Sequence, residues 1–254
     1  MLYWKDNPID MVLPTGAMGN ITGGYMAKLM GIPIGRLCAA VNTNDITHRV
    51  ISKGEFHRRR IETTLSDAIN IEVPYNFERI AFYATGCNHD LIKKWMTTME
   101  ETQQLTLENE WLSRLQNDFC SARVTDDEMC YALRKVYGTL KYVADPHTAV
   151  AMAAAEKLGY EFTRDPTEDN DNDMIPMVLI ATASPCKFQH AVEVALGKDG
   201  WKEWEEKSFP TRAKETLQKK EDKPYHYPKM DKASLSDTQA QWRKMMLDIV
   251  HSNF

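Results

Sequence analysis

The sequence predicts an α/β fold in which a mainly parallel sheet lies between helices on both faces, giving three layers. Short apolar segments typical of buried strands alternate with longer segments of helical periodicity, and polar or glycine-containing turns follow the strands. The chain has 254 residues, of which 43% are hydrophobic and 26% charged. It can therefore bury a substantial core, and its composition is that of an ordinary globular protein.

The first part of the chain supplies two predicted strands, each followed by a helix. Residues 9–13 form the first strand, and a helix over residues 20–30 ends just before a glycine, the residue that favours helix C-termini. Residues 36–41 form the second strand. The polar turn at residues 42–45 is then expected to cap a helix over residues 46–52.

The middle of the chain, residues 76–140, is predicted to be mostly helical. Thr125 is followed three residues later by Glu128, the spacing of a capping box at a helix N-terminus. Two further residues are N-cap candidates in this stretch: Asn76 and Thr106.

Strands and helices alternate again beyond this stretch. A helix opens with Asp-Pro at residues 145–146 and ends near Gly159. Residues 161–173 form an acidic loop, which lacks the central glycine and closing glutamate of an EF-hand and is predicted to be solvated. An apolar strand over residues 177–182 leads into a helix over residues 184–196.

The composition changes after residue 202 to Lys, Glu, Pro and Tyr with little apolar periodicity. This predicts a connector over residues 202–232, followed by an amphipathic helix over residues 234–250. We therefore divide the chain into two parts. Residues 1–205 form a large α/β domain with a helical insertion at about 76–140, and residues 206–254 form a connector with a C-terminal docking helix.

Charge and hydropathy argue against two classes of partner. A formal net charge of −5 is opposite to that of a typical nucleic-acid-binding protein. No segment approaches the roughly 18 consecutive apolar residues of a membrane-spanning helix. The first residues lack a basic segment followed by an apolar one, so no signal peptide is predicted and a cytoplasmic protein is expected.

The five cysteines are scattered, odd in number and without a C-x-x-C pair. This pattern argues against a disulfide scaffold and against a clustered zinc site, and it is typical of reduced thiols. No metal site is predicted. The cysteines are Cys38, Cys87, Cys120, Cys130 and Cys186.

A glycine-rich turn joins the first predicted strand to its helix. Its glycines allow a tight turn and a close approach of the backbone to a ligand. The helix that follows presents free N–H groups and the positive end of its dipole, which suit a phosphate. The turn lacks the Lys-Ser/Thr ending of a P-loop and the G-x-G-x-x-G spacing of a dinucleotide-binding motif, so spacing alone supports a phosphate cradle and a structural turn equally. Its residues are Gly16, Ala17, Met18, Gly19 and Asn20.

Small hydroxyl residues follow the predicted strand at 177–182. Thr182 and Ser184 would lie at the carboxyl end of a parallel strand, where ligand crevices commonly form. Either hydroxyl can donate a hydrogen bond to a ring nitrogen. For Ser184, spacing alone favours a role as a helix cap before proline.

Four polar residues near the ends of predicted elements are weaker candidates. His147 follows Asp145 at a helix start and is expected to pack rather than to bind a ligand. The polar turn after the second strand could contact a ligand, and turn capping explains it equally well; its candidates are Asn42, Asn44 and Asp45.

Several segments, in the same order along the chain, resemble the threonine synthase family of fold-type II pyridoxal-phosphate enzymes. They span residues 12–196, most of the chain, and the V-P-Y-N segment at residues 73–76 is most similar to the threonine-synthase-like 2 subgroup. The segments are V-L-P-T-G-A-M-G-N (12–20), G-Y-M-A-K (24–28), G-I-P-I (31–34), A-V-N-T-N-D-I (40–46), T-L-S-D-A-I-N-I (64–71), N-F-E-R (76–79), D-P-H-T-A-V (145–150) and T-A-S-P-C-K-F (182–188).

The resemblance implies a tryptophan-synthase-β-like fold, incomplete at its N-terminus, with pyridoxal 5'-phosphate as cofactor. The turn from Gly16 to Asn20 would hold the cofactor phosphate through its amides, and Thr182 would face the pyridine nitrogen. The implied substrate is a phosphorylated amino acid, O-phospho-L-homoserine. Elimination of its phosphate gives threonine, or 2-oxobutyrate in the like-2 subgroup.

Two departures from the family's pattern affect this interpretation. The family often has asparagine where this chain has Ala17. The lysine that binds the cofactor covalently lies well upstream of the phosphate turn in the family, so no catalytic residue is assigned here. Lys5 and Lys187 do not match that position.

The alternative is a catalytically inactive short form that acts as a binding or signalling protein, for which export would need a non-classical route. A homodimer, or association through an exposed apolar sheet edge, is also expected.

Overall fold

A computed structural model describes residues 8–160, 176–220, 225–226 and 234–253. The chain divides into two compact units, Met1–Pro210 and Thr211–Phe254. The first unit contains, in chain order, β1 (Ile9–Pro14), α1 (Gly19–Leu29), β2 (Ile34–Val41), α2 (Ile46–Lys53), β3 (Glu55–His57), α3 (Phe77–Ala84), α4 (His89–Thr102), β4 (Gln104–Thr106), α5 (Asn109–Asp118), β5 (Phe119–Arg123), α6 (Asp126–Leu140), α7 (Pro146–Lys157), β6 (Met177–Leu179) and α8 (Gln189–Ser208).

A four-stranded sheet with the order β5-β2-β1-β6 forms the centre of the first unit. All three of its strand pairs are parallel. Alternate residues of the buried strands face opposite sides, as the pleat of a strand requires. Val12 and Cys38 belong to the apolar core on one side, and Leu13 and Leu37 belong to the core on the other.

Helices cover both sides of this sheet. On one side α7 packs against β1, β2 and β5, and on the other α1 and α2 pack against β2. The ten residues from Pro146 to Ala155 in α7 are all buried, because α6 covers the side of α7 that faces away from the sheet. The predicted α/β fold, with a parallel sheet between two helical layers, is confirmed.

Residues 76–140 are mostly helical, as predicted, but the prediction missed two strands. It holds for α3, α4, α5 and α6, but β5 lies within this stretch and pairs with β2 in the main sheet. The short β4 also lies there and pairs antiparallel with β3. Thr106 therefore ends a strand, and the N-cap of α5 is Glu108.

The predicted helix caps give mixed results. The capping box is confirmed, because the Glu128 amide donates to Thr125 Oγ1 at 3.3 Å and the Thr125 amide donates to Glu128 Oε2 at 2.8 Å. Asp145 also caps its helix by accepting hydrogen bonds from backbone amides. Asp45 precedes α2 without a capping bond, because its carboxylate accepts from Arg49 Nε at 2.7 Å instead.

The segment after β6 departs from the predicted strand and helix. The strand ends at Leu179, and residues 180–183 continue without regular structure. A 3₁₀ turn at Pro185–Lys187 precedes α8, which runs to Ser208 across a break at Gly197, where φ is 77°. The predicted domain limit at 205/206 falls inside this helix, and the two-domain division stays a prediction.

The second unit contains α9 (Thr211–Leu217) and α10 (Leu235–Asn253). The C-terminal helix predicted from the amphipathic pattern is therefore confirmed as a helix. No helix in the described ranges combines the length and the apolarity needed to cross a membrane.

Candidate functional site

The two sequence segments predicted to bind a ligand meet at one cavity of about 380 Å³. One wall is the turn between β1 and α1, and the opposite wall is the segment that follows β6. This happens because β1 and β6 are parallel neighbours, so their carboxyl ends lie at the same edge of the sheet. The cavity is lined by Gly16, Ala17, Met18, Gly19, Asn20 and Thr182, together with Pro14, Thr15, Ile21, Ala68, Ile69, His147, Ala183, Lys187 and Phe188.

The turn is fixed to the sheet at its start. The Thr15 amide donates to Ala40 O on β2 at 2.8 Å, and Thr15 Oγ1 donates to Leu13 O at 2.8 Å. Met18 then adopts a left-handed conformation with φ of 64° and precedes the first residue of α1. The chain thus reverses within a few residues, which turns the N-terminus of α1 toward the cavity.

The backbone amides along this turn are free to bind a ligand. The first amide of α1 to donate is that of Thr22, which bonds to Met18 O at 3.0 Å. In the described part of the chain, the amides of residues 16–21 donate to no acceptor. Successive unpaired N–H groups at a helix N-terminus form a site of positive potential that suits a phosphate.

Gly16 is required by a close approach of the backbone from another loop. A Cβ atom at this position would lie 2.9 Å from Ile69 Cα and 3.1 Å from Ile71 Cγ1. Contacts this short force a displacement of the backbone. The loop that carries Ile69 therefore closes the cavity only because residue 16 has no side chain.

Asn76 holds the turn from behind. Its Nδ2 donates to Ala17 O at 2.8 Å, and its amide donates to the same oxygen at 3.3 Å. Because the Ala17 carbonyl points at Asn76, the Met18 amide of the same trans peptide group points away from Asn76. Asn76 occupies the predicted N-cap position of α3, but its side chain makes no capping bond with that helix.

Thr182 is held on the opposite wall through its backbone. Its amide donates to Thr148 Oγ1 at 3.3 Å, and Thr148 Oγ1 donates in turn to Asp145 Oδ2. The Thr182 hydroxyl has no hydrogen-bond partner among the described residues. Ser184, the other predicted donor, is not among the residues that line the cavity.

His147 lines the cavity and has a defined tautomer. The Ala68 amide donates to His147 Nε2 at 3.2 Å, so this nitrogen carries the lone pair. The proton is then on Nδ1, which donates to Asp145 Oδ1 at 2.9 Å. The ring is 3% exposed and lies edge-on to Phe188. His147 thus connects the loop that carries Ala68 and Ile69 (the Ala68 loop) to the start of α7, which fits the predicted packing role.

The polar turn after β2 shapes the cavity without lining it. Asn42 Nδ2 donates to Thr64 Oγ1 at 2.9 Å and to Asn70 Oδ1 at 2.7 Å. Asn44 Nδ2 donates to the same Asn70 oxygen at 3.0 Å. These bonds fix the loop that contributes Ala68 and Ile69 to the cavity wall.

Lys187 lines this cavity and a neighbouring one of about 500 Å³. Its ammonium group forms no ion pair or hydrogen bond within the described residues. The second cavity also contains the hydroxyl-bearing Thr63 and Thr64 and the carboxylates of Asp67 and Asp126. Sequence spacing gave no reason to select Lys187, because its position between two cavities depends on the tertiary fold.

Within the described ranges, no three His, Cys, Asp or Glu side chains are grouped so that they could hold a metal ion. The acidic loop at residues 161–173 and Lys5 lie outside the described residues.

The family described as "Threonine synthase, C-terminal" matches residues 148–241. Human threonine synthase-like 2 is 34% identical over 188 residues, which cover 74% of this chain and 37% of the human protein. Threonine synthase-like 2 of Xenopus laevis is 30% identical over 246 residues, which cover 96% of this chain and 46% of that protein.

Two solved structures support the same relationship. Threonine synthase from yeast matches with a TM-score of 0.77 and 27% identity, covering 95% of this chain and 48% of the yeast chain. PLP-bound threonine synthase from Brucella melitensis matches with a TM-score of 0.68 and 33% identity, covering 76% and 39%. The chain spans less than half the length of these relatives. Sequence and structure agree, and the chain belongs to the threonine synthase family, whose C-terminal half it matches.

Proposed function

We propose that this chain holds pyridoxal 5'-phosphate in a lyase of the threonine synthase type. The observation that carries the proposal is the row of amides at residues 16–21, which donate to no acceptor among the described residues and line a cavity whose opposite wall carries Thr182. The amides would bind the cofactor phosphate, and Thr182 would donate a hydrogen bond to the pyridine nitrogen.

The residues of the cavity fit this cofactor. The amides of Gly16 to Asn20 suit a dianionic phosphate because they add positive potential without a charged side chain. A neutral hydroxyl at the ring nitrogen does not require that nitrogen to be protonated. When bound, the cofactor supplies an electron-withdrawing ring; the chain's own contribution is to anchor it and fix its orientation.

We propose O-phospho-L-homoserine as the substrate, with loss of phosphate leading to threonine or to 2-oxobutyrate. Membership of the threonine synthase family supports this substrate class. Lys187 adds support from the site, because an ammonium group that pairs with none of the described residues and lies beside the cofactor cavity can bind a substrate phosphate. No residue of this chain is assigned as the lysine that binds the cofactor covalently. The alternative of a binding or signalling protein has no support in the comparisons.

Binding of pyridoxal 5'-phosphate to the chain, measured by calorimetry, tests the phosphate site. Gly16→Ala should weaken binding about tenfold or more, since its Cβ displaces the turn and costs one or two charge-assisted hydrogen bonds of about 1.5–3 kcal/mol each. The control is Gly23→Ala in the same N-terminal segment, where an added Cβ meets nothing within 4 Å.

Equal losses in both variants, or no binding to the unaltered chain, would contradict the phosphate site. The lyase activity is tested on protein isolated from its native source. It should release phosphate from O-phospho-L-homoserine, and the second product, threonine or 2-oxobutyrate, identifies the reaction. Protein that contains the cofactor but releases no phosphate would overturn the lyase and leave the cofactor site standing.

The role of Lys187 predicts a loss of discrimination between phosphorylated and unphosphorylated amino acids. With cofactor present, the protein should bind O-phospho-L-homoserine more tightly than L-homoserine. Lys187→Gln should reduce this preference by about tenfold, because it removes one charge-assisted hydrogen bond. Lys198→Gln on α8 is the control, since Lys198 lines neither cavity. An unchanged preference in Lys187→Gln would exclude Lys187 from the substrate site.

A further inference from the structure

Two cysteine side chains lie in contact across neighbouring strands of the sheet. Cys38 on β2 and Cys120 on β5 are register partners, so their side chains point to the same face. Their sulfur atoms are 2.7 Å apart, and both cysteines are free. Residues directly opposite on paired strands fall within the range of Cα separations that a disulfide spans.

The surroundings of the pair are polar on one side. Cys38 Sγ lies 3.6 Å from Tyr160 Oη, which donates to Asp10 Oδ2 at 2.5 Å. Arg36 Nη2 donates to the same Tyr160 oxygen at 3.0 Å. The hydrogen bond from the Cys120 thiol lowers the pKa of Cys38, and the guanidinium of Arg36 acts in the same direction. Disulfide formation requires one of the two thiols to lose its proton, and these contacts favour loss from Cys38.

The pair is reachable from one side only. Cys38 is fully buried, whereas Cys120 is partly exposed. Cys120 lies on β5, which is an edge strand of the sheet in the described part of the chain. A small oxidant can therefore reach the pair on the Cys120 side, while Cys38 is held in place within the core.

We propose that Cys38 and Cys120 are a redox modification site that closes to a reversible disulfide under mild oxidation. With hydrogen peroxide as oxidant, the two thiols lose two protons and two electrons and one S–S bond forms. The peroxide O–O bond breaks, and two molecules of water leave. A dithiol such as dithiothreitol reverses the reaction by exchange.

The disulfide would join the edge strand β5 covalently to β2. The C-terminal end of β2 leads into Asn42, which fixes the loop at the cavity wall. Because the bond closes a long segment of chain between the two cysteines, it should raise the Tm of the first unit by about 5–10 °C.

The test is oxidation of the folded protein with a small excess of hydrogen peroxide, followed by blocking of free thiols and peptide mapping by mass spectrometry. The expected product is a peptide pair joined between Cys38 and Cys120, with the mass of two hydrogens lost and restored by dithiothreitol. Cys120→Ser should abolish this product, and Cys130→Ser should leave it unchanged.

The map of the unaltered protein decides the question even where a variant folds poorly. A joined Cys38–Cys120 peptide formed in folded protein supports the proposal. It is overturned if both thiols are blocked as free cysteines after oxidation, if the crosslink forms only in denaturant, or if the oxidised thiols are those of Cys87 and Cys186. A disulfide without a rise in Tm contradicts the proposed bracing of the sheet.

Discussion

At the scale of single residues, Asp145 is the polar side chain on which the cavity wall most depends. It is 1% exposed and accepts hydrogen bonds from the amides of His147 and Thr148 at 3.0 and 3.3 Å. It also accepts from His147 Nδ1 and from Thr148 Oγ1. Through these two side chains it fixes the Ala68 loop and the Thr182 amide.

These contacts predict how stability depends on pH. Burial raises the pKa of Asp145, but the hydrogen bonds from His147 and Thr148 outweigh burial and leave the pKa below the ordinary 3.8. A lowered carboxyl pKa contributes stability that is present above the unfolded pKa, about 4, and is lost as pH falls through the lower folded value. The free energy of unfolding should therefore decrease on acidification in this range.

Asp145→Asn tests this contribution by urea unfolding between about pH 6 and pH 3. Asparagine keeps the capping oxygen but does not titrate, so the variant should be about 1–3 kcal/mol less stable at neutral pH and should lose less stability on acidification. Asp90→Asn, at an exposed position in the first turn of α4, is the control. Identical pH profiles for Asp145→Asn and the unaltered protein would contradict the prediction.

At the scale of elements, the features predicted correctly are those whose signals lie in residues close together in the sequence. The β1 strand, the glycine-rich turn and α1 were predicted because apolar period, glycine content and helix start lie within one short segment. The capping box at Thr125 was predicted for the same reason, since its two partners are three residues apart.

The elements that were missed depend on contacts far apart in sequence. The strand β5 follows α5 without an intervening turn, and its place in the sheet is set by pairing with β2, as in Leu37 with Phe119. Likewise Asn76 occupies the N-cap position of α3, yet its side-chain amide donates to Ala17 O in the turn after β1 and does not cap the helix. No local pattern distinguishes these outcomes, because burial and pairing partners decide them.

At the scale of the whole molecule, the strand order accounts for the position of the cavity. Parallel pairing of β1 with β6 brings the glycine-rich turn and Thr182 to the same end of the sheet, where the strands have their carboxyl ends. The turn that follows β2 lies at this same end of the sheet, and its Asn42 donates a hydrogen bond to Thr64. Residues far apart in sequence therefore surround one cavity, as expected at the carboxyl ends of parallel strands.

The same strand order leaves an edge that predicts self-association. In the described ranges β6 pairs only with β1, and it carries Val178 with 42% of its surface exposed. An apolar residue on an unpaired strand edge favours pairing with a second chain, and a lysine there opposes it. Sedimentation of the chain over a range of concentrations should show association, and Val178→Lys should weaken it about tenfold, or by about 1.4 kcal/mol.

Val194→Lys provides the matched control, because Val194 is 50% exposed and lies on a helix, α8, and not on an edge strand. If association depends on backbone pairing along β6, only Val178→Lys should shift the equilibrium toward monomer. An equal shift in both variants would mean that added charge alone separates the chains. A monomer at all concentrations in the unaltered protein would contradict the prediction, because it would mean that the β6 edge does not pair with a second chain.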